Sequence, residues 1–438
     1  MKDEMKGRFP RTLIVSHTVA GGSTSLGKTL GTYFSEQERE SLAQVYFHSE
    51  VPGAPLCSTW FRFTDPDALK SIVQRRRRGT VFTEQDAEPE RPDTADTGSL
   101  SGVYNYGRKR SPLIFMARDG LWRLSGWKHS GMLEWARAFR PEVIFFASGD
   151  YAFPYRVVQY LAEQLKIPYV VCCFDDFYLF NKDGESLLGR LRQRRYMRTV
   201  RKTMDGAARI LTVNDAMAEA YGALFGRKCG VVYTAADIGA AEDTPVEQTG
   251  ISYLGGLGLG RERQLTEIAD ALGSCGGADM PEAVDVWSGE MDPGILGRLQ
   301  ANERIRFHGS VPADRVASII RKSRAVIHTE SFDPVIRERV RYSLSTKIPD
   351  SIASGTCLLA YGPREAASID YLIRNEAAFT ATSAEKLQGT LRRLFTDRAE
   401  YERIAGNAWA LAQKNHDPER IRETVRQTLS DAAEGKAE

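Results

Sequence analysis

SLSTKIPDSIASGTCLLAYGP, residues 343–363, packs a polar lead-in, a short helix and a strand into one run. Ser345, Thr346 and Lys347 precede the helical segment, Asp350 stands one turn in, and Gly355 closes it before the strand CLLAYG (357–362). A helix start carries free backbone amides and a partial positive charge, so hydroxyls and a lysine beside it form a cradle for an anion. The strand is apolar throughout rather than alternating, which is the signature of a parallel strand covered on both faces.

The same rhythm extends in both directions. Toward the N-terminus of this half lie ISYLGG (251–256), VDVWSG (284–289), IRFHGS (305–310) and RAVIHTE (324–330), with helical spacing between them, as at Leu265, Ile268, Ala269 and Leu272. The first half repeats it with TLIVSH (12–17), LAQVYFH (42–48), VIFFAS (143–148), YVVCCF (169–174), RILTV (209–213) and GVVYT (230–234). Strands alternating with helices predict two doubly wound α/β domains. We expect a first domain over residues 1–240, a second over 248–414, and a join within 235–250. A last helix over 415–438 has Ile421, Val425 and Leu429 on one face. TEQDAEPERPDTADTGS (83–99) is acidic, proline-rich and nearly free of large apolar residues, and reads as a mobile loop.

Length and composition agree. A chain of 438 residues exceeds one comfortable core, and a net charge of +2 gives no reason to expect a nucleic-acid partner. No run approaches the roughly twenty apolar residues that span a bilayer, and MKDEMKGRFPRTLIVS does not read as a secretory signal. Six scattered cysteines without a CxxC, and histidines without an HxxxH pair, suit reduced thiols in a cytoplasmic protein and argue against a protein-built metal centre.

One motif points elsewhere. GSTSLGKT (22–29) fits the phosphate-loop pattern GxxxxGK[ST], which would make the chain an NTPase or kinase. The preceding strand, however, stops near Ser16, and the lead-in His17–Gly21 is long for such a loop. The alternative is a glycine turn at Gly21 and Gly22 that lets backbone approach a phosphate, with Lys28 on a helix surface. DPD at Asp65–Asp67 fits a metal-binding DxD, but TDPDALKSIV reads as a helix start with Asp65 as cap and Pro66 first. GGLGLG (255–260) is not GxGxxG, because position 261 is Arg.

DSIASGTCLLAYGP resembles the "E-x-M-A-x-G-x-P-V-I" segment of the family-four retaining glycosyltransferases of the GT-B class, with Asp350 for the usual Glu and Cys357 for the usual Pro. ISYLGGLGLGRERQL (251–265), IRFHGSVPADRVASIIRKSRAVIHTESFD (305–333), TVAGGSTSLGKTLGTYF and ARILTVNDAMAEAYGALFGRKCGVVYTAADI (208–238) resemble further elements of that family, in order. The resemblance implies a GT-B architecture of two Rossmann-like domains facing across a cleft. It also implies a nucleotide diphosphate sugar as donor substrate, no cofactor or metal, retention at the anomeric carbon, and a role in polysaccharide or glycoconjugate assembly.

A leaving diphosphate must then be stabilised by cationic side chains as well as a helix terminus, since the terminus alone contributes only about 0.3–1 kcal/mol. Arg261 and Lys347 are the candidates, with Ser345 and Thr346 beside them; each is otherwise an ordinary surface cation. Gly21, Gly22, Gly255, Gly256, Ser331 and Gly355 complete the expected donor pocket. Asp350 would accept from ribose hydroxyls, or is simply an acid at a helix start. Glu330, eight positions being the family's spacing and twenty the distance here to Asp350, is assigned to the sugar end. His328 reads as a packed strand residue.

On the acceptor side Asp150 and the pair Asp175–Asp176 follow strands among aromatics, which suits sugar hydroxyls; such acids are also often only solvated. GRLRQRRYMRTVRK (189–202) is a basic helical stretch. It reads as a solvated face, or as contact with an anionic membrane surface or a phosphorylated acceptor. The acceptor expected is a saccharide or lipid-linked saccharide. The rivals are the phosphate-loop enzyme over Gly22–Thr29 and a GT-B-like subunit without turnover.

Overall fold

The apolar runs do become strands, and they gather into two parallel sheets. A computed structural model describes residues 9–53, 56–74, 79–86, 112–179, 186–236, 248–277 and 279–436. Most of the expected loop 83–99 and most of the join 235–250 lie outside them. The chain divides into two units: residues 1–232 with 421–438, and residues 233–420.

The first sheet holds β1 (Thr12–Ser16), β2 (Leu42–Tyr46), β3 (Thr59–Arg62), β4 (Thr80–Thr83), β5 (Val143–Ser148), β6 (Tyr169–Cys173), β7 (Arg209–Thr212) and β8 (Gly230–Val231). Their order is β4-β3-β2-β1-β5-β6-β7-β8, parallel except for β3 with β4. β1 pairs with β2 on one side and β5 on the other, so the chain reverses its winding there. The helices are α1 (Ser25–Phe34), α2 (Asp65–Gln74), α3 (Pro112–Leu124), α4 (Met132–Phe139), α5 (Ala152–Leu165), α6 (Leu187–Gly206) and α7 (Asp215–Phe225).

The second sheet holds β9 (Thr249–Leu254), β10 (Val284–Trp287), β11 (Ile305–Gly309), β12 (Ser323–Thr329), β13 (Cys357–Tyr361) and β14 (Phe379–Ala381), in the order β11-β10-β9-β12-β13-β14. Its winding reverses between β9 and β12. Around it run α8 (Arg261–Cys275), α9 (Pro293–Gln300), α10 (Ala313–Lys322), α11 (Pro334–Val340), α12 (Ile348–Ala353), α13 (Ala367–Arg374), α14 (Ala384–Thr396) and α15 (Arg398–Asn415). The stripe Leu265, Ile268, Ala269 and Leu272 of α8 is buried against β9, β10 and β13 side chains. The last helix, α16 (Pro418–Ala433), buries Ile421, Val425 and Leu429. From Ile421 on it belongs to the first unit, where Arg422 meets Glu36 at 2.5 Å.

Three strands escaped the sequence reading, namely β3, β4 and β14. Each has only three or four residues, and β4 alternates in burial as an antiparallel edge does. The first unit also ends earlier than residue 240, because Tyr233–Ala236 hang on the second unit. His416 Nδ1 donates to Thr234 O at 2.7 Å, and Ala236 N donates to His416 O at 2.9 Å. Asp65 is not a helix cap. Thr64 occupies that position, its own N–H and hydroxyl donating to Asp67 Oδ2 at 2.9 and 2.8 Å. Asp65 instead accepts from Trp122 Nε1 at 2.7 Å and pairs with Arg118.

Candidate active site

In open α/β sheets ligands bind beyond the carboxyl ends of strands, where the winding reverses. In the second unit that place is the loops after β9, β12 and β13. Glu330 follows β12 directly and is 3% exposed. Its Oε2 lies 3.4 Å from Arg261 Nη2, its Oε1 accepts from Ser368 Oγ at 3.3 Å, and Arg261 Nε donates to Thr329 O at 3.3 Å. Burial raises the Glu330 pKa, against the lowering pull of Arg261, Ser368 and Lys347.

Arg261 opens α8, and the backbone that delivers it is contorted. Leu259 (φ 64) and Gly260 (φ 73) are both left-handed. At Gly260 a Cβ would also come within 3.1 Å of Ser331 Oγ, so glycine meets both a conformational and a steric demand. Lys347 is exposed along its length, yet its ammonium folds onto the Gly255 backbone, where an added Cβ would stand 2.5 Å from Nζ. Desolvation there, and then Arg261, lower the Lys347 pKa. Tyr253 lies beneath, its hydroxyl donating to Gly256 O at 2.6 Å and touching Arg261; burial pushes its pKa up to about 12.

His328 is a packed strand residue, as expected, and more. Its Nε2 is 3.5 Å from Glu330 Oε1 and has no hydrogen-bond partner. Burial first, then Arg261 and Lys347, lower its pKa to about 3, so it is neutral. Arg261, Glu330, Lys347 and Gly255 are therefore brought together from the ends of β9 and β12 and the start of α12. Ser331 is buried beside them, and Ser345 Oγ accepts from Lys347 N at 3.4 Å. Thr346 is exposed, Gly256 is exposed, Asp350 is on the first turn of α12, and Gly355 (φ 78) ends that helix. Tyr253 and Ser368 were missed, and His328 was read as a packed residue without its place beside Glu330. Tyr253 and His328 had a signal, since residues two apart on a strand share a face: Tyr253 with Gly255, His328 with Glu330.

The Gly21–Gly22 turn is differently made than expected. Val19 N donates to Glu50 Oε1 at 2.5 Å, Ala20 N to Gln44 Oε1 at 3.1 Å, Gly21 N to Gly27 O at 2.8 Å and Gly22 N to Val19 O at 3.2 Å. Four successive amides thus face protein acceptors, a carboxylate among them, where a phosphate loop would aim them at its ligand. Within the motif the amides of Gly22, Gly27 and Lys28 likewise donate to Val19 O, Thr24 Oγ1 and Thr24 O, which speaks against the phosphate-loop reading. The same geometry speaks against the expectation that Gly21 and Gly22 present amides to a phosphate.

The first unit has its own cavity, about 100 Å³ and open to solvent, between α3, α6 and the start of α5. Asp150 lines it; Asp175 and Asp176 do not. Asp176 is buried, and its Oδ1 accepts from Tyr178 N (3.1 Å), Leu179 N (3.0 Å) and Tyr221 OH (2.8 Å), so it organises its own loop. Among the described residues no three His, Cys, Asp or Glu side chains gather as a metal site, and no helix is long and apolar enough to cross a membrane. All six cysteines are free thiols.

With these sites in view, comparison with known proteins is decisive. The family model described as "Glycosyl transferase 4-like domain" matches residues 66–234, and "Glycosyl transferase-like" matches 263–427. Together they take in most of both units. The chain belongs to the GT-B glycosyltransferases. Among solved structures, the glycosyltransferase resembles Anabaena HepE in complex with UDP, at 15% identity and TM-score 0.60, over 96% of this chain and 99% of that one. The E. coli trehalose-6-phosphate protein bound with UDP-2-fluoro glucose aligns at 8% identity and TM-score 0.62, over 96% and 98%. A UDP-forming trehalose-phosphate synthase from Burkholderia xenovorans, in complex with glucose-6-phosphate, aligns at 12% and 0.57, over 97% and 100%. No curated protein matches the glycosyltransferase in sequence.

Proposed function

We propose that this glycosyltransferase moves a sugar from a UDP-sugar to a saccharide or lipid-linked acceptor, with retention, in polysaccharide or glycoconjugate assembly. The observation that carries the reading is the convergence of Arg261, after β9, and Lys347, at the start of α12, with one buried carboxylate, Glu330, beside Arg261 at the end of β12. Two cations facing one anion leave a surplus suited to a diphosphate. The uridine donor is favoured by structural neighbours that hold UDP or a UDP-sugar.

In this scheme Arg261 and Lys347 take the charge that grows on the leaving diphosphate. Charge stabilisation by side chains makes the transfer independent of metal and of any resident cofactor. Asp350 binds the ribose, Ser331, Ser345 and Thr346 line the donor pocket with the glycines, and Glu330 faces the sugar. Asp150 meets the acceptor. The donor's own phosphate serves as base, so no protein nucleophile is required.

Calorimetry with UDP, GDP and ADP, followed by turnover of UDP-glucose with and without EDTA, tests this. UDP binding weakened in Arg261→Ala is expected; no binding of any nucleoside diphosphate would favour a subunit without turnover.

A cytoplasmic place at the inner membrane face completes the proposal. Leu187, Leu188 and Leu191 of α6 are exposed beside Arg190, Arg194, Arg195 and Arg198, which suits an anionic bilayer surface. Co-sedimentation with phosphatidylglycerol vesicles checks it.

A further inference from the structure

The cavity of the first unit is built for an anion. Arg192 is 8% exposed, lies with its guanidinium carbon 3.9 Å over the Phe115 ring, and donates to Asp150 O at 3.2 Å. Arg118 stacks over Tyr151 at 4.0 Å. Stacking of this kind leaves guanidinium edges to make planar, directed contacts. Arg123 and Arg195 complete the basic wall, and both are exposed. Four arginines line the cavity against Asp119 and Asp150 in its wall and Asp65 behind it, which pairs with Arg118 at 2.9 Å, so Arg192 and Arg195 carry most of the surplus. Asp119 is already held by Arg156 at 2.7 Å and Arg123 at 3.3 Å.

The floor adds to the charge. Helix α5 begins at Ala152 inside the cavity, has no side-chain cap at Tyr151 and no acid in its first turn. A fourteen-residue helix so placed directs its positive end at whatever enters. The loop before it is rigid, because Gly149 O accepts from both Tyr155 OH at 2.8 Å and Tyr196 OH at 2.7 Å.

We propose that this cavity binds a phosphate group carried by the acceptor, with Arg123 and Arg195 as specificity-determining contacts. The word acceptor rests on the function proposed above; the phosphate site itself does not. The phosphate comes either from a soluble sugar phosphate or from a lipid-linked phosphate headgroup, and the two are separated by the probes used.

The full chain is first titrated with UDP, then kept saturated with it so that the donor site is filled. It is next titrated with glucose 6-phosphate, with glucose, and with phosphatidylcholine vesicles with or without a polyprenyl phosphate. At least one of the two phosphates should bind, with glucose and plain vesicles at least tenfold weaker. The double variant Arg123→Gln/Arg195→Gln should lose about tenfold or more in affinity for that probe. Arg137→Gln, an exposed arginine of α4 outside the cavity, should lose little.

Wild-type affinity in the double variant, equal loss in Arg137→Gln, or no binding of either phosphate overturns the site. If UDP itself does not bind, the donor reading fails, and the phosphate titrations then run without it and still decide the cavity.

Discussion

Oε2 of Glu330 lies 3.4 Å from Nη2 of Arg261, and nothing but that guanidinium, Ser368 and the neutral His328 faces the carboxylate within 3.5 Å among the contacts described. The pair competes with any diphosphate for the same cation. Removing the charge of Glu330 while keeping its shape should therefore free Arg261 rather than disable it. In Glu330→Gln, UDP binds no worse than in wild type, and the unfolding midpoint near neutral pH holds or rises, because burial makes the ionised carboxylate unfavourable in the fold. In Arg261→Ala, UDP affinity falls about tenfold to a hundredfold. Calorimetry and thermal melts read both; a tenfold loss in Glu330→Gln would mean that the carboxylate holds the nucleotide.

Lys347 depends on Gly255 for its place. A methyl group at residue 255 would sit 2.5 Å from Nζ and 3.0 Å from the Tyr253 hydroxyl, so the ammonium must leave. Gly255→Ala should reproduce most of the loss in UDP affinity caused by Lys347→Ala, and the double variant should be little worse than either. Gly258, with nothing within 4 Å of an added Cβ, should tolerate Ala. Additive losses in the double variant would separate the two residues.

The phosphate-loop lookalike makes the opposite prediction about adjacent residues. Lys28 is exposed on α1, and Lys28→Ala should leave transfer and stability essentially unchanged. Gly27→Ala places a carbon 2.7 Å from Val19 O and 2.8 Å from Gly22 O, overpacking the turn at a cost of about 1–3 kcal/mol. Loss of transfer in Lys28→Ala with normal melting would revive the phosphate loop.

What the sequence revealed and what it hid follow from one distinction. Apolar runs such as VIFFAS and CLLAYG announce strands because burial on both faces is a property of the run itself. Arg261, Glu330 and Lys347 could be named because each follows or precedes such a strand. Their mutual pairing could not, since it depends on the order β9-β12-β13, which adjacent sequence does not encode. Asp150 and Asp176 looked equivalent on paper. Only the fold shows that one lines a cavity and the other ties down its own turn. The turn before α1 was misread in part for a similar reason: Glu50 and Gln44, which take the amides of Val19 and Ala20, arrive from β2 and the loop after it, while Gly21 and Gly22 donate to the local carbonyls of Gly27 and Val19.

Three buried histidines give the fold a pH dependence. Burial lowers His17 to about 3, His328 to about 3 and His416 to about 4, from an ordinary 6.5. His416 is fixed as the neutral tautomer by Thr234 O and the Tyr371 hydroxyl, the latter at 2.9 Å. A folded pKa below the unfolded one means that the unfolded chain binds more protons, so stability rises with pH across that interval. It is fully present above about 6.5 and is lost as pH falls toward 3–4, each histidine contributing a slope of up to about 1.4 kcal/mol per pH unit. Glu330 works the other way: its raised pKa favours the fold at low pH and withdraws that support as pH rises past the ordinary carboxylate value. The histidines outnumber it, so denaturant midpoints should be flat above pH 7 and fall steeply between 6 and 4. His17→Gln should flatten the fall for the first unit alone, and His328→Gln for the second. An unchanged slope in both variants would place the acid sensitivity elsewhere.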